Sequence, residues 1–190
     1  MTDIIGRKVA YQGYVTVTVA MLKPDDDEAH PREVVSFGDS ACVLPYDPER
    51  RVAMLISMPR APRLLAGEAE PLLEAVAGMV DAGETPAEAA MREAMEEAGL
   101  ALKAVEPIAT TWPSPGVLAE RSSLFLAAYA EADRTGAGGG LAGEHEAITL
   151  AETPLAELAA MADAGRLADL KTLTLVQTLR LRRPELFAEP

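Results

Sequence analysis

Apolar and polar positions alternate with period two near the start of the chain. Residues 14–19 follow this pattern and are rich in β-branched side chains, so residues 8–23 are predicted to form a half-buried strand. After a polar turn at residues 23–28, residues 32–37 predict the returning strand. Because two or three strands alone are only marginally stable, we expect residues 1–37 to form a small antiparallel β segment that packs on the rest of the chain or on a partner chain.

Six further apolar runs, each short enough for a strand, follow this segment. They lie at residues 40–46, 51–58, 72–80, 102–112, 121–130 and 148–151. We expect a turn at 47–50, a loop at 61–70, an irregular stretch at 113–116 and a Gly-rich connection at 131–143. That last connection would be either a plain flexible linker or a functional loop.

Helical patterns occur in three places. Residues 86–98 form the clearest helix. Thr153-Pro154 is predicted to cap a second helix that runs to about residue 164, and a last helix runs from Asp169 or Lys171 to about residue 181. Strands and helices thus alternate irregularly, with no internal repeat. This order predicts an α/β sandwich in which a mixed sheet lies between helices.

The helix at 86–98 carries clear start and stop signals. Thr85 is a good N-cap, Pro86 suits the first helical position, and Glu88 stands where a capping box needs it. Gly99 can take the left-handed conformation that ends a helix. A core-facing stripe is predicted from apolar residues at helical spacing, namely Ala87, Met91, Ala94 and Ala98.

Three carboxylates share another face of this helix. Glu93, Glu96 and Glu97 are spaced i, i+3 and i+4, so they repel one another unless a positive group lies between them. Arg92 can orient Glu96, but one arginine cannot neutralise three acids. Hard divalent cations such as Mg²⁺ take oxygen ligands of this kind. For an isolated pair of glutamates, a solvated acidic face would be the simpler interpretation.

Composition narrows the class of protein. The 190 residues carry a net charge of −13, which argues against a nucleic-acid-binding surface. No apolar run reaches the roughly 18 residues that a membrane span needs. Cys42 is the only cysteine, and residues 1–7 contain no apolar signal core. We therefore expect a single globular domain without disulfides, in the reducing cytoplasm and without a membrane or nucleic-acid partner.

Residues 78–100 resemble the signature of the Nudix hydrolases, G-x5-E-x7-R-E-U-x-E-E-x-G-U, where U is aliphatic. The fixed positions fall on Gly78, Glu84, Arg92, Glu93, Glu96, Glu97 and Gly99, and the aliphatic ones on Ala94 and Leu100. Ala94 is smaller than the usual residue, which affects packing and not chemistry. The resemblance implies a Nudix-type α/β/α sandwich with a mixed sheet over residues 38–190.

The resemblance extends beyond this signature. Residues 73–80, 114–116, 120–123 and 144–148 resemble the branch that hydrolyses nucleoside-diphosphate sugars. Similarity to ADP-ribose pyrophosphatases covers about residues 9–185, which implies cleavage of ADP-ribose to AMP and ribose 5-phosphate. The Gly-rich connection and residues 165–172 also resemble GDP-mannose pyrophosphatases. A fold that binds a nucleotide sugar without cleaving it is the alternative of a different class.

The resemblance also implies a set of metal-binding and catalytic residues. The metal ligands would be Glu93, Glu96, Glu97, Glu146 and the backbone carbonyl of Ala77, holding Mg²⁺ or its substitute Mn²⁺. Glu93 and Glu97 would be catalytic through the metal, and Glu144 would be the general base. His145 is a rival base, because its ordinary pKa lies near neutrality. Glu84 would orient Arg92 or the loop, with a catalytic role as the alternative of about equal weight.

Substrate contacts and assembly are implied in the same way. Arg60 and Arg32 match positions of phosphate- or ribose-binding arginines. Glu120 matches a carboxylate that contacts the sugar side, and Tyr14 falls where an aromatic ring stacks on the base; each could instead be a structural surface residue. In the resembling family the N-terminal segment crosses to a partner, so we expect a C₂ homodimer in which residues 1–37 complete the other subunit's site.

Overall fold

A computed structural model describes residues 1–141, 143 and 147–188. The chain divides into two compact units, the first formed by Met1–Asp39 with Thr111–Ser122 and the second by Ser40–Thr110 with Ser123–Pro190. The first unit therefore contains the predicted N-terminal β segment together with a stretch from the middle of the chain. Among the described residues, none of the helices combines the length and apolar character that crossing a bilayer requires.

The first unit is built on a three-stranded antiparallel sheet. Its strands are β1 (Thr2–Gln12), β2 (Thr16–Pro24) and β3 (His30–Ser36), in the order β1-β2-β3. The single strand predicted at residues 8–23 is wrong, because a tight turn at 13–15 divides it into β1 and β2. Any side chain at Gly13 would collide with the Tyr11 ring, since a Cβ there would lie 2.3 Å from the tyrosine hydroxyl.

A stretch after the irregular residues 113–116 extends this sheet. The N–H of Val35 donates to the carbonyl of Val117 at 2.8 Å, and the N–H of Ala119 donates to the carbonyl of Val35 at 2.9 Å. These backbone bonds continue the sheet beyond β3. They explain why residues 111–122 group with the N-terminal strands rather than with the larger sheet.

The second unit contains the larger sheet. Within the described residues its seven strands are β4 (Ser40–Asp47), β5 (Val52–Met58), β6 (Leu72–Glu74), β7 (Val76–Met79), β8 (Glu106–Thr111), β9 (Ser122–Ala128) and β10 (Thr149–Pro154). The order is β10-β5-β4-β9-β8, with β6 paired to β5 and β7 paired to β4. The helices are α1 (Ala61–Leu65), α2 (Pro86–Ala98), α3 (Leu155–Asp163) and α4 (Leu170–Arg182), and 3₁₀ turns cover Glu131–Asp133 and Pro184–Leu186.

Alternate residues of the central strands point to two separate cores. On β4, Cys42 and Leu44 join the core that is covered by α3 and α4. Ala41 and Val43 point the other way, into the core that is covered by α2. This is the alternation expected of a strand buried on both faces. The predicted α/β sandwich with a mixed sheet between helices is confirmed.

Three local predictions are wrong in detail. The strand expected at 72–80 is two short strands with different partners, and the switch occurs at Ala75. The N–H of Ala75 donates to the Thr172 hydroxyl at 2.7 Å and so is satisfied outside the sheet. The loop expected at 61–70 contains α1. Thr153 does not cap α3; it lies in β10, and its hydroxyl bonds to the carbonyl of Ala151.

Candidate active site

Helix α2 forms where its capping residues predict. The Thr85 hydroxyl accepts a hydrogen bond from the Glu88 N–H at 3.3 Å, and the Glu88 carboxylate accepts one from the Thr85 N–H at 2.8 Å. This reciprocal pair satisfies two N–H groups at the helix start. Gly99, with φ of 67°, ends the helix in the left-handed region. The prediction of residues 86–98 is confirmed.

The buried face of α2 is rotated from the predicted stripe. Ala94 and Ala98 are buried as predicted, but Ala89 and Ala90 are fully buried while Ala87 and Met91 are only partly so. Since these contact residues are alanines, the helix can lie close to β4 and β7, which it contacts. The rotation places the carboxylate face, which is formed by Glu93, Glu96 and Glu97, beside the strand that carries Ala77 and Gly78.

Arg92 is the centre of an ion-pair cluster. Its Nε and Nη2 donate to the two oxygens of Glu84 at 3.0 and 3.1 Å, and its Nη1 donates to Glu93 at 2.7 Å and to Glu96 at 3.0 Å. Nη2 also donates to the carbonyl of Met79 at 2.9 Å. The hydrogen bonds from Arg92 hold the pKa of Glu84 below its ordinary value, and Glu84 in turn raises the pKa of Arg92. The predicted orienting roles of Glu84 and Arg92 agree with these contacts.

Glu97 is the deeply buried member of the carboxylate face. Only 3% of it is exposed, and its Oε2 accepts a hydrogen bond from the N–H of Ala77 at 3.1 Å. Because a buried carboxylate is costly without partners, this contact to the strand matters for its stability and its orientation. The structure thus brings together Ala77 and Glu97, two of the predicted metal ligands.

The carboxylate of Glu93 lies directly over the backbone of Gly78. A Cβ at position 78 would lie 1.8 Å from Glu93 Oε1, so only glycine leaves this space for the carboxylate. Gly78 follows Ala77 in β7. Glu93 and Glu97 therefore both contact β7, at Gly78 and Ala77, and Glu96 is joined to Glu93 through Arg92.

The donor chemistry of this region fits a hard divalent cation. Carboxylate oxygens and a backbone carbonyl are the ligands that Mg²⁺ and Mn²⁺ prefer. In residues 1–141, 143 and 147–188, however, no three His, Cys, Asp or Glu side chains are already arranged to hold a metal ion. Arg92 takes one oxygen of Glu93 and one of Glu96. A cation bound at this face would share the carboxylates of Glu93 and Glu96 with Arg92.

Residues 135–140, which we call the glycine strap, bind the C-terminal end of α2. The N–H of Gly139 donates to the carbonyl of Glu97 at 2.8 Å, and the N–H of Gly140 donates to the carbonyl of Glu96 at 3.0 Å. The last carbonyls of a helix have no partner within it, so the strap satisfies two of them. The described part of the Gly-rich connection is thus hydrogen-bonded to the helix that carries the candidate ligands.

The strap depends on its glycines. Gly138, Gly139 and Gly140 have φ values of 65°, 99° and 80°, which other residues rarely adopt. A Cβ at Gly138 would also lie 2.6 Å from the carbonyl oxygen of Glu97. The sequence analysis did not identify this role, although the concentration of glycines beside the predicted catalytic stretch was a usable signal.

Arg60, a predicted phosphate-binding residue, is paired with a buried carboxylate. Its Nε donates to Glu74 Oε2 at 2.8 Å and its Nη2 donates to Glu74 Oε1 at 3.2 Å. Glu74 was not among the predicted site residues. The available signal was a single carboxylate in the otherwise apolar run at 72–80.

Three other predicted substrate residues lie in the first unit. Arg32 is exposed and lines a cavity of about 340 Å³ with mainly apolar neighbours. The lining residues of this cavity, all of them described, include neither Tyr14 nor Glu120. Tyr14 is 86% exposed and stacks on Phe37 at a centroid distance of 6.5 Å. This cavity therefore does not bring the three residues together.

The predicted general base and its neighbours lie outside the residues that the structure describes. They are Glu144, Glu146 and the rival base His145. Their roles remain predictions from the resemblance alone.

Comparison with known proteins agrees with this geometry. The family model of the NUDIX domain matches residues 36–174. The ADP-ribose pyrophosphatase of Escherichia coli strain K12 is 32% identical over 191 aligned positions, which cover 97% of this chain and 90% of that protein. The GDP-mannose pyrophosphatase of Cronobacter sakazakii is 34% identical over 185 positions, or 95% of each chain.

A solved structure of the same fold covers almost the whole chain. It is the crystal structure of an ADP compounds hydrolase, with a TM-score of 0.77 over 97% of this chain and 95% of that one. At 17% identity this likeness concerns the fold alone. Together with the signature cluster around Arg92, the family match and the two relatives show that the chain belongs to the NUDIX domain family.

Proposed function

We propose that the protein is a metal-dependent hydrolase that cleaves the diphosphate of a nucleoside-diphosphate sugar, with ADP-ribose as substrate and AMP and ribose 5-phosphate as products. The observation that carries this proposal is the complete carboxylate face, in which Glu97 contacts Ala77, Glu93 contacts Gly78, and Arg92 joins Glu93 to Glu96. A module that only binds nucleotide sugars would not need all three glutamates. Similarity to the E. coli ADP-ribose pyrophosphatase over 97% of the chain supports this substrate.

GDP-mannose is the second candidate substrate. The Cronobacter relative named for that activity covers 95% of this chain at 34% identity. Both reactions cleave a diphosphate between a nucleoside and a sugar, so the carboxylate face serves either one. The two candidates differ only in the base and the sugar that the substrate contacts must accept.

Nudix hydrolases generally require a divalent metal ion. We propose Mg²⁺, with Mn²⁺ as its substitute, bound by Glu93, Glu96, Glu97, the carbonyl of Ala77 and Glu146. When bound, such ions neutralise the charge of the diphosphate and lower the pKa of a bound water.

The protein's own groups orient and complete this site. Arg92 orients Glu93 and Glu96 through hydrogen bonds from its Nη1, and the N–H of Ala77 holds the buried carboxylate of Glu97. Glu144 is the proposed general base that accepts a proton from the attacking water, and His145 is its rival. This assignment rests on the resemblance of residues 144–148 to the nucleotide-sugar branch.

Four side chains are proposed to contact the substrate. Arg60 and Arg32 would bind phosphate or ribose oxygens through their guanidinium forks. Glu120 would contact the sugar, and Tyr14 would stack on the base.

We further propose that the protein is a cytoplasmic C₂ homodimer in which residues 1–37 contribute Tyr14 and Arg32 to the partner's site. The exposed apolar side chains of β1, including Ile5 and Val9, are consistent with such an interface.

A hydrolysis screen tests the proposed function. ADP-ribose, GDP-mannose and other nucleotide sugars are incubated with the protein in Mg²⁺, in Mn²⁺ and in EDTA, and the nucleoside monophosphate is separated by chromatography. We expect release of AMP from ADP-ribose in either metal and none in EDTA, with Glu97→Gln as the inactive control. Tight binding of a nucleotide sugar without cleavage in any metal would favour the binding module instead.

A further inference from the structure

Glu74 is a buried carboxylate with a defined cationic partner. It ends the short strand β6, where it pairs with Ile56, and only 4% of the residue is exposed. Burying a carboxylate is costly unless it is paired and hydrogen-bonded. The two hydrogen bonds from Arg60, at 2.8 and 3.2 Å, supply such a pair. Lys171, another cation near Glu74, is itself paired with Asp169 at 2.7 Å.

The pair is asymmetric in its exposure. The Glu74 side chain is 5% exposed, whereas the Arg60 side chain is 37% exposed. Glu74 is therefore the fixed member, and Arg60 is the member that reaches toward solvent. Because the contacts use both Nε and Nη2, they fix the plane of the guanidinium as well as its position. The direction in which Nη1 points is consequently set by Glu74.

The backbone connects this pair to the carboxylate face. Glu74 precedes Ala77 by three residues, a span of at most about 10 Å in extended chain. The N–H of Ala77 binds Glu97, and Gly78 lies beneath Glu93. Glu74, which holds Arg60, and the two strand residues that contact the carboxylate face thus lie within one short stretch of the second unit.

A neighbouring ion pair shows what an ordinary surface contact looks like. Arg63 donates to Glu68 through Nε and Nη2 at 3.1 and 2.7 Å, but the Glu68 side chain is 63% exposed. Such a pair contributes little to stability. Glu74 differs because it lies in an apolar strand, where a hydrophobic residue would have served packing at least as well.

We propose that Glu74 is a positioning residue for the substrate: it holds Arg60 by one edge of the guanidinium, so that the group is presented in a fixed orientation to a phosphate oxygen of the nucleotide sugar. The inference rests on the proposed function, since it assigns a role within that site. It predicts that the effect of Glu74 on substrate passes through Arg60 and through no other group.

A double-mutant cycle tests this role. Glu74→Gln, Arg60→Ala and the double variant are compared with wild type, with Glu68→Gln as the matched control on the exposed pair. Affinity for ADP-ribose and for GDP-mannose is measured by calorimetry in EDTA, where no turnover is expected, and kcat and KM are measured in Mg²⁺. Glu74→Asp, which keeps the charge but shortens the side chain, is included in case Glu74→Gln folds poorly.

The expected result is a loss of nucleotide-sugar affinity of about tenfold in Glu74→Gln, matched by a rise in KM, with a smaller change in kcat. In the Arg60→Ala background, Glu74→Gln should change the affinity no further, and Glu68→Gln should leave it at the wild-type value. Glu74→Asp should lie between wild type and Glu74→Gln.

Two results overturn the inference. One is an unchanged affinity and KM in Glu74→Gln or, if that variant folds poorly, in Glu74→Asp. The other is an equal loss with and without Arg60, which a purely structural role would produce. A wild-type protein that cleaves no nucleotide sugar overturns the proposed function and not the inference about Glu74. In that case the affinities measured in EDTA still decide the role of Glu74. A wild-type protein that binds neither ADP-ribose nor GDP-mannose overturns both.

Discussion

The carboxylate of Glu93 occupies the space that a side chain at Gly78 would fill. A Cβ at position 78 would lie 1.8 Å from Oε1 and 2.0 Å from Cδ of Glu93. Gly78, at the start of the signature, and Glu93, fifteen residues later, are therefore sterically coupled: the carboxylate can keep its position only if residue 78 has no side chain. Glycine is needed at this position of the strand for the close approach of a side chain from α2.

The first prediction is that Gly78→Ala reduces activity much more than stability. The added methyl group displaces the far end of the flexible Glu93 side chain, so the fold can adjust while the carboxylate leaves its position. We expect kcat to fall by about 10- to 100-fold, as for losses of support around a metal site, while the free energy of unfolding changes by less than about 1 kcal/mol. Steady-state kinetics and urea unfolding measure the two quantities.

Gly143→Ala is the control for this variant, because a Cβ at Gly143 meets no atom of the described residues within 4 Å and its φ is not positive. A wild-type kcat in Gly78→Ala would contradict the steric coupling of Gly78 and Glu93. Global unfolding of that variant would show that the backbone, and not the Glu93 side chain, gives way.

The second prediction concerns Glu97. Glu97→Gln keeps the size of the side chain and an oxygen that can accept from the N–H of Ala77, but it removes the charge. We expect kcat to fall by about 100-fold or more, with the fold preserved. The rise in melting temperature that Mg²⁺ should give the wild-type protein should also be lost. Near-normal turnover in this variant would remove Glu97 from the metal site.

The third prediction concerns the glycine strap. At Gly138 a methyl group would meet the carbonyl of Glu97 at 2.6 Å, and the φ of 65° disfavours any side chain. Gly138→Ala should therefore destabilise the fold by about 1–3 kcal/mol and loosen the last turn of α2. Because that turn carries Glu96 and Glu97, the Mg²⁺ concentration for half-maximal activity should rise, with kcat recovering at high Mg²⁺.

Hydrogen exchange of the α2 amides is an independent measure of the strap, since it requires no turnover. Faster exchange near residue 97 in Gly138→Ala, but not in Gly143→Ala, is the expected difference. Unchanged exchange and an unchanged Mg²⁺ requirement would mean that the strap does not support the helix end.

Local signals in the sequence were sufficient to predict the bounds of α2 and the pairing of charged residues around Arg92. The capping box of Thr85 and Glu88 and the stop at Gly99 involve neighbours along the chain, so the helix bounds could be predicted. The pairing of Arg92 with Glu96 also follows from helical spacing. Each of these interactions is decided within about one or two helical turns.

The features that sequence analysis missed depend on distant partners. The switch from β6 to β7 at Ala75 depends on the Thr172 hydroxyl, 97 residues away. The proposed role of Glu74 depends on its contact with Arg60, which follows β5, the strand that pairs with β6. Neither contact leaves a periodic pattern in the sequence. The rotation of the buried face of α2 was missed for a different reason: every candidate position is an alanine or a methionine, so the side chains do not distinguish one face from the next.

The fourth prediction is a pH dependence of stability at the start of α4. Burial alone would raise the pKa of Asp169, but Lys171 at 2.7 Å and the hydrogen bonds from Thr172 outweigh burial and hold this pKa below its ordinary value. A carboxyl whose pKa is lower in the folded state stabilises the fold above its unfolded pKa, about 3.9. That stabilisation is lost as the pH falls through the lower, folded-state value.

Asp169→Asn isolates this charge, because asparagine can still cap the helix. We expect the variant to be less stable than wild type by about 3 kcal/mol at pH 7, as for a broken buried pair. The difference should stay constant down to about pH 5 and shrink below about pH 4. Urea unfolding of both proteins across this range measures it, and a difference that grows at acid pH would contradict the assigned sign.

The fifth prediction concerns assembly through the first unit. On β1, Ile5 is 61% exposed and Val9 is 54% exposed, so a glutamate at either position costs little in an isolated chain. Within an apolar interface the same charge is expensive. We expect light scattering at micromolar concentration to give twice the chain mass of 20.1 kDa for wild type and the single chain mass for the double variant Ile5→Glu/Val9→Glu. Leu181→Glu, at an 82% exposed position of α4, is the control that should stay dimeric. If Tyr14 and Arg32 act in the partner's site, the monomeric variant should also lose nucleotide-sugar affinity, whereas a wild-type protein that is monomeric and active at this concentration would exclude both the dimer and the contribution in trans.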